Sequence, residues 1–250
     1  MSGLVVLSER VLREAKRTPD AIIPILLIPL FFLLVNVGQA ADIFPSGTPW
    51  LAGQNYAAFQ LPSTLILAAS FGTAALFLVE EIENGYLDKL RATPVPRSSI
   101  VLGRLAAEFV KSVGMTVLIV LISLPFGISI ATGPIGFVLL ILLTSVWAVG
   151  FSGFLQFVAL KTRSAAATNS ASLVFFPLLF VTPNFVPREL LTRPMEIAAG
   201  LNPVTYVVEA MRSLILYEFE WDVIGLGFLV AGGFAVLMLA INVRTMATYD

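Results

Sequence analysis

Forty-nine consecutive residues, 112–160, carry no charged side chain. The hydrocarbon core of a bilayer takes a helix of about 20 mostly apolar residues, so this run alone is long enough for two crossings. Ala131-Thr132-Gly133-Pro134-Ile135-Gly136 interrupts it. Glycine and proline at that density mark a turn, and the run reads as a helical hairpin. Residues 21–38, 43–79, 164–187 and 223–243 are charge-free as well. Taken together, the runs predict an all-α polytopic membrane protein with six transmembrane helices, at 21–38, 57–79, 105–130, 137–160, 164–183 and 223–243. A buried helix in a large soluble protein is the alternative for any one run. Charged residues make up only 12% of the chain, against about 25% in soluble domains, too few to solvate the surface such a protein would need.

Lysine and arginine orient the spans, because they accumulate in cytoplasmic loops. Arg10, Arg13, Lys16 and Arg17 precede the first span. Lys89, Arg91, Arg97 and Arg104 lie between the second and the body of the third, Lys161 and Arg163 follow the fourth, and Arg244 follows the sixth. Only Arg188, Arg193 and Arg212 fall on the other side. Both termini are therefore expected in the cytoplasm, with the cell membrane as the location. Gly38 and Ala40 resemble a signal-peptidase site, but a charged stretch of 20 residues precedes an 18-residue apolar segment, longer than the usual signal core of about 7–15. A retained first helix is the better reading.

The polar segments divide into three. Within residues 1–20, Leu4, Leu7, Val11 and Ala15 share one face of a helix and the charges lie elsewhere, the pattern of an interfacial amphipathic helix. The cytoplasmic loop 80–99 reads EEIENGYLDKLRATPVPRSS. Gly85 and the Thr93-Pro94 pair bracket a short helix from Tyr86 to Arg91, which carries Tyr86, Leu87 and Leu90 as an apolar knob. That knob either meets a protein partner or tucks against the bundle. The outer loop 184–222 contains Asn202-Pro203, an N-cap followed by proline at the first helical position. A helix from there to Leu216, with Glu209 and Arg212 three apart, is too charged to span and is expected to be re-entrant or interfacial.

Several chemistries are excluded. There is no cysteine and no histidine, which removes thiol catalysis, the common zinc sites and imidazole acid–base work. A net charge of −1 gives no basis for nucleic-acid binding. No phosphate-binding GxxxxGK[ST] motif occurs, so ATP-driven work would need a separate ATPase chain. Glu108 and Lys111, at i,i+3 near the start of the third span, read as a structural ion pair. Gln60, Gln156 and Asn169 either line a pathway or bond between helices. No catalytic, cofactor-binding or metal-binding residue is expected.

Three motifs in register resemble the permease subunit of type-2 ATP-binding-cassette exporters. One is Arg17-Thr18-Pro19 before a first span containing Pro24 and Pro29. Another is the loop Glu81, Glu83, Gly85, Tyr86, Asp88, Leu90, Thr93, Pro94, Arg97, with Tyr86 where the family usually has threonine and Ile82 where arginine is common. The third is Asn202-Pro203 with Tyr206, Glu209 and Arg212 following. The resemblance implies a coupling helix formed by Glu81, Glu83, Gly85, Tyr86, Leu87, Asp88, Leu90 and Arg91 and seated on a cytoplasmic ATPase. It implies an exit helix carrying Asn202, Pro203, Tyr206, Glu209 and Arg212. It also implies partnership with a second permease, identical or not, within membrane lipid, ATP and Mg being held by the ATPase. Apolar spans without a dense aromatic ladder favour a hydrophobic drug or lipid over a polysaccharide as cargo, with multidrug resistance the corresponding role. An ion-driven secondary carrier, a lipid-modifying membrane enzyme and a non-transporting scaffold remain open at this point.

Overall fold

A backbone in lipid must satisfy its polar groups within its own segment, so helices are expected throughout. The computed structural model describes residues 19–71, 73–91 and 96–248, and among them every regular element is helical. In chain order these are α1 (Pro19–Ala40), α2 (Tyr56–Ala69), α3 (Thr73–Glu83), α4 (Tyr86–Arg91), α5 (Arg97–Ser123), α6 (Gly133–Thr162), α7 (Ala165–Ser172), α8 (Phe175–Val181), α9 (Arg193–Leu201), α10 (Pro203–Leu216) and α11 (Trp221–Ala247). The chain is an all-α polytopic membrane protein. Arg97–Phe126, Gly133–Thr162 and Trp221–Ala247 are long and apolar enough to cross a bilayer, and Ile25–Ala40, Tyr56–Ala69 and Ala165–Val181 are shorter apolar helices. The amphipathic helix expected within residues 1–20, and Thr93 and Pro94 of the loop motif, lie outside the described residues.

Two stretches expected to be continuous are each built from two helices. α2 ends at Ser70, whose Oγ donates to the Ile66 carbonyl at 2.8 Å and accepts from Trp147 Nε1 at 3.0 Å. Lys111 Nζ, from α5, donates to the Phe71 carbonyl at 3.1 Å. Side chains from α5 and α6 thus supply partners where the helical ladder stops, which is one of the few ways to break a buried helix without orphaned carbonyls. The second break, between α7 and α8, follows from Pro177, which has no N–H to offer the carbonyl four residues earlier. The chain tightens there into three-residue bonds, Val174 N to Ala171 O at 3.2 Å and Phe176 N to Leu173 O at 3.1 Å.

α10 runs through the main core. Val204, Val207, Val208, Met211, Leu214 and Ile215 are fully buried against α2, α6 and α11. Fourteen residues at 1.5 Å rise give about 21 Å, short of the ~30 Å hydrocarbon core, so α10 does not cross the bilayer by itself. Both its ends are tied. Asn202 accepts from Val204 N at 3.0 Å and donates Nδ2 to the Leu178 carbonyl at 2.6 Å and to Thr182 Oγ1 at 3.0 Å. At the other end the Leu214 carbonyl accepts from Thr132 Oγ1 at 2.6 Å, and the Ile215 carbonyl accepts from Ala131 N at 3.0 Å and Gln54 Nε2 at 2.7 Å. The Ala131–Thr132 turn between α5 and α6 is therefore also the cap of α10. Gly227 of α11 makes the close approach possible: a Cβ there would lie 2.4 Å from Ala210 Cβ and 3.1 Å from the Tyr206 carbonyl oxygen.

A second, smaller core closes the opposite end of the bundle. Leu78 and Val79 of α3, Leu87 of α4, Ile100, Val101 and Leu105 of α5, Ala159 and Leu160 of α6 and Met246 of α11 pack together.

Candidate functional site

The short helix α4 is the element on which the sequence concentrated its partner-binding residues. Gly85 starts it with φ +65°, in the left-handed region where a side chain is strained. Leu87 is only 1% exposed and Leu90 is half-buried against the same small core. Of the two readings of the apolar knob, these two leucines follow the inward one. Glu83, Tyr86 and Lys89 point outward and are exposed; Asp88 and Arg91 lie on the same short helix. Glu81 lies apart from its neighbours in the motif: it is 6% exposed and forms an ion pair with Arg104, itself 3% exposed. A paired buried carboxylate bolts α3 to α5 and offers little to a partner. Arg104 was read from the sequence only as a topology charge. Twenty-three residues separate the pair, and no local spacing rule joins positions that far apart.

Glu108 and Lys111 form an i,i+3 ion pair on α5. Lys111 reaches further than the pair, to the Phe71 carbonyl at the α2 break, a role its spacing did not announce. Gln60 bonds between helices: its Nε2 donates to Tyr56 Oη at 2.7 Å and to the Asn184 carbonyl at 2.9 Å, and its Oε1 accepts from Asn36 Nδ2 at 3.5 Å. Gln156 is buried in α6 and Asn169 is exposed on α7.

The α10 end holds a cavity of about 500 Å³, bordered by Trp50, Phe59, Arg188, Glu189, Glu209, Arg212, Tyr217 and Glu220. The sequence placed Glu209 and Arg212 on one helix; the structure brings both to this cavity. Pro203 and Tyr206 do not border it. Tyr206 instead donates its hydroxyl to the Gly200 carbonyl at 2.7 Å. Arg212 is 5% exposed. Its Nε donates to the Phe59 carbonyl at 3.3 Å and its Nη2 to the Asn184 carbonyl at 3.5 Å, while the guanidinium carbon lies 3.7 Å from the Phe59 ring centroid, a cation–π contact. Burial pushes the Arg212 pKa down to about 10, with Glu209 opposing, and the side chain stays charged at neutral pH. Burial also pushes the Glu209 carboxyl above its ordinary range, against the pull of Arg188 and Arg212. Phe44, Trp50, Tyr56 and Phe59 form a contiguous aromatic cluster beside it. Phe59 and Asn184 escape sequence reasoning because they act through backbone carbonyls, which any residue carries.

Residues 3–216 match the family model described as ABC-2 type transporter. The chain belongs to the ABC-2 type transporter family. Among curated relatives of this ABC-2 permease, it is 27% identical over 241 residues to the daunorubicin resistance ABC transporter permease protein DrrB1 of Streptomyces coeruleorubidus, covering 94% of this chain and 82% of the relative. It is 28% identical over 218 residues to the putative transport permease ycf38 of Cyanophora paradoxa, covering 84% and 73%. The ABC-2 family normally works with an ATPase subunit, and the resemblance carried by the three sequence motifs is the family relationship itself.

Proposed function

We propose that this ABC-2 permease is the membrane-spanning half of an ATP-driven exporter that moves a hydrophobic drug-like or lipid molecule out of the cytoplasm or the inner leaflet. It pairs with a second permease and with separate ATPase subunits, which hold the ATP and Mg; the chain binds no cofactor of its own. Both termini and α4 are cytoplasmic, and α10 lies at the exit. The observation that carries the reading is the seating of α4, whose outward residues Glu83, Tyr86 and Lys89 face away from the bundle while Leu87 enters a core shared with α3, α5, α6 and α11. A push on α4 is then a push on four helix ends at once. ATP binding draws two ATPases together, α4 carries that displacement into α3 and α5, and a path opens between the permeases. The coupling has a magnitude only if the ATPase contact differs in free energy between the two states. The drug-resistance relative supports the direction and the kind of cargo.

The test is purification of the full chain from its native membrane in mild detergent, with mass spectrometry of what accompanies it. An ATPase carrying a phosphate-binding loop is expected at one-to-one stoichiometry, and Tyr86→Glu with Lys89→Glu is expected to abolish the association while leaving insertion intact. A folded preparation without such an ATPase would remove the energy source and favour an ion-driven carrier.

A further inference from the structure

The cavity beside α10 is bordered by a buried cation that makes no direct ion pair. Arg212 is nearly fully buried, yet no described carboxylate lies within ion-pair distance of it, and its two hydrogen bonds go to carbonyls at 3.3 and 3.5 Å. Nη1 makes no hydrogen bond among the described residues, and Arg212 borders the cavity. A buried cation with no carboxylate in contact carries a desolvation penalty of several kcal/mol, which Glu209, three residues earlier on the same helix, offsets in part and an anion entering the cavity would offset further. The mouth has the opposite sign, since Glu189 and Glu220 border the same cavity and are exposed. Arg188 and Glu209, both half-buried, also border the cavity. Tyr217 Oη donates to the Trp50 carbonyl at 2.7 Å and closes an aromatic wall. Phe219 and Trp221 stack next to it with centroids 5.0 Å apart at the start of α11. Aromatic residues at the end of a span mark headgroup depth.

We propose that this cavity binds the headgroup of an aminophospholipid, with its phosphate on Arg212 and its ammonium at Glu189 and Glu220. The order of charges argues for a lipid. In such a headgroup the phosphate lies nearest the acyl chains and the ammonium lies beyond it towards water, matching a buried cation behind exposed carboxylates. The site depends on the chain's being a membrane protein and not on which cargo it exports.

Native mass spectrometry of the full chain in mild detergent tests it, with titration of dioleoylphosphatidylethanolamine, dioleoylphosphatidylglycerol, dioleoylglycerol and soluble phosphoethanolamine in separate arms. One phosphatidylethanolamine per chain is expected, with dioleoylglycerol not retained. Arg212→Gln is expected to weaken phosphatidylethanolamine binding by about ten-fold or more, the loss of one charge-assisted hydrogen-bonding group. The exposed pair Glu189→Gln with Glu220→Gln leaves the core untouched and is expected to erase the preference for phosphatidylethanolamine over phosphatidylglycerol; it reports even if Arg212→Gln fails to fold. Undiminished phosphatidylethanolamine binding in a folded Arg212→Gln chain, or equal retention of dioleoylglycerol, overturns the proposal. So does an unchanged lipid preference in the Glu189/Glu220 variant. Phosphoethanolamine binding as tightly as the lipid overturns the lipid source and assigns the cavity to a free phosphate ester.

Discussion

The two ends of the helix bundle bury charge in opposite ways. At the α4 end, Glu81 and Arg104 are both buried and answer each other, and the surrounding side chains form a small closed core. At the α10 end, Arg212 is equally buried, but its contacts among the described residues are carbonyls and an aromatic face, Glu209 opposes its charge without an ion-pair contact, and a large cavity lies beside it. A compensated pair in a closed core suits an element that must move as a rigid piece. A cation with no carboxylate in contact, beside open volume, suits recognition. Residues of the same type, on helices of one fold, are thus held in a closed pair at one end and beside a cavity at the other.

The sharpest way to break this comparison is to remove one arginine from each end and compare thermal unfolding of the solubilised chain. Arg104→Met removes the buried ion-pair partner of Glu81 and is expected to destabilise by about 3–5 kcal/mol, with Glu81→Leu added in the double variant recovering part of it. Arg212→Met breaks no ion-pair contact, leaves Arg188 opposite Glu209 and should cost only about 1–3 kcal/mol, the range for lost hydrogen bonds to a charged group. Equal losses at both ends would dissolve the distinction. A smaller contrast lies within α4 itself. Leu87→Ala opens a cavity in the small core and is expected to cost about 2–5 kcal/mol, whereas Tyr86→Ala, at a position open to solvent, should cost less than that while weakening ATPase capture in the same preparation. The mildest effect concerns pH. The folded chain holds the Glu209 proton more tightly than the unfolded chain, because burial raises that pKa. The resulting increment of stability is complete below the ordinary glutamate pKa and is lost as pH rises through the raised value. Melting temperature against pH should show that decline in the parent and lack it in Glu209→Gln.

Much of this was legible in advance, and the limits have physical causes. Charge-free runs located the apolar helices because exclusion of charge from lipid acts on each residue separately. The start of α10 at Pro203 was legible because capping is a local interaction, complete within three residues. The breaks after Ala69 and Ser172 were not read. The first depends on Lys111 and Trp147 arriving from other helices. The second had a local cause in Pro177, but proline is common in membrane helices and does not by itself announce a break. At the coupling loop the motif was legible while the direction of each side chain was not. Glu81 and Leu87 turn inward and Tyr86 and Lys89 turn outward, because a six-residue helix has too few positions for its periodicity to reveal a face.

The sequence by itself determined that the chain lives in a membrane, that it is helical, and that it carries a short helix bracketed by glycine and proline. Those conclusions follow from composition and short-range rules, which need no knowledge of neighbours. Only the tertiary structure decided that Glu81 meets Arg104, that the Ala131–Thr132 turn caps α10, that Gly227 admits α10 against α11, and that Arg212 faces a cavity with no carboxylate in contact. Each of these joins residues distant along the chain through contacts whose energies exist only once the helices are packed.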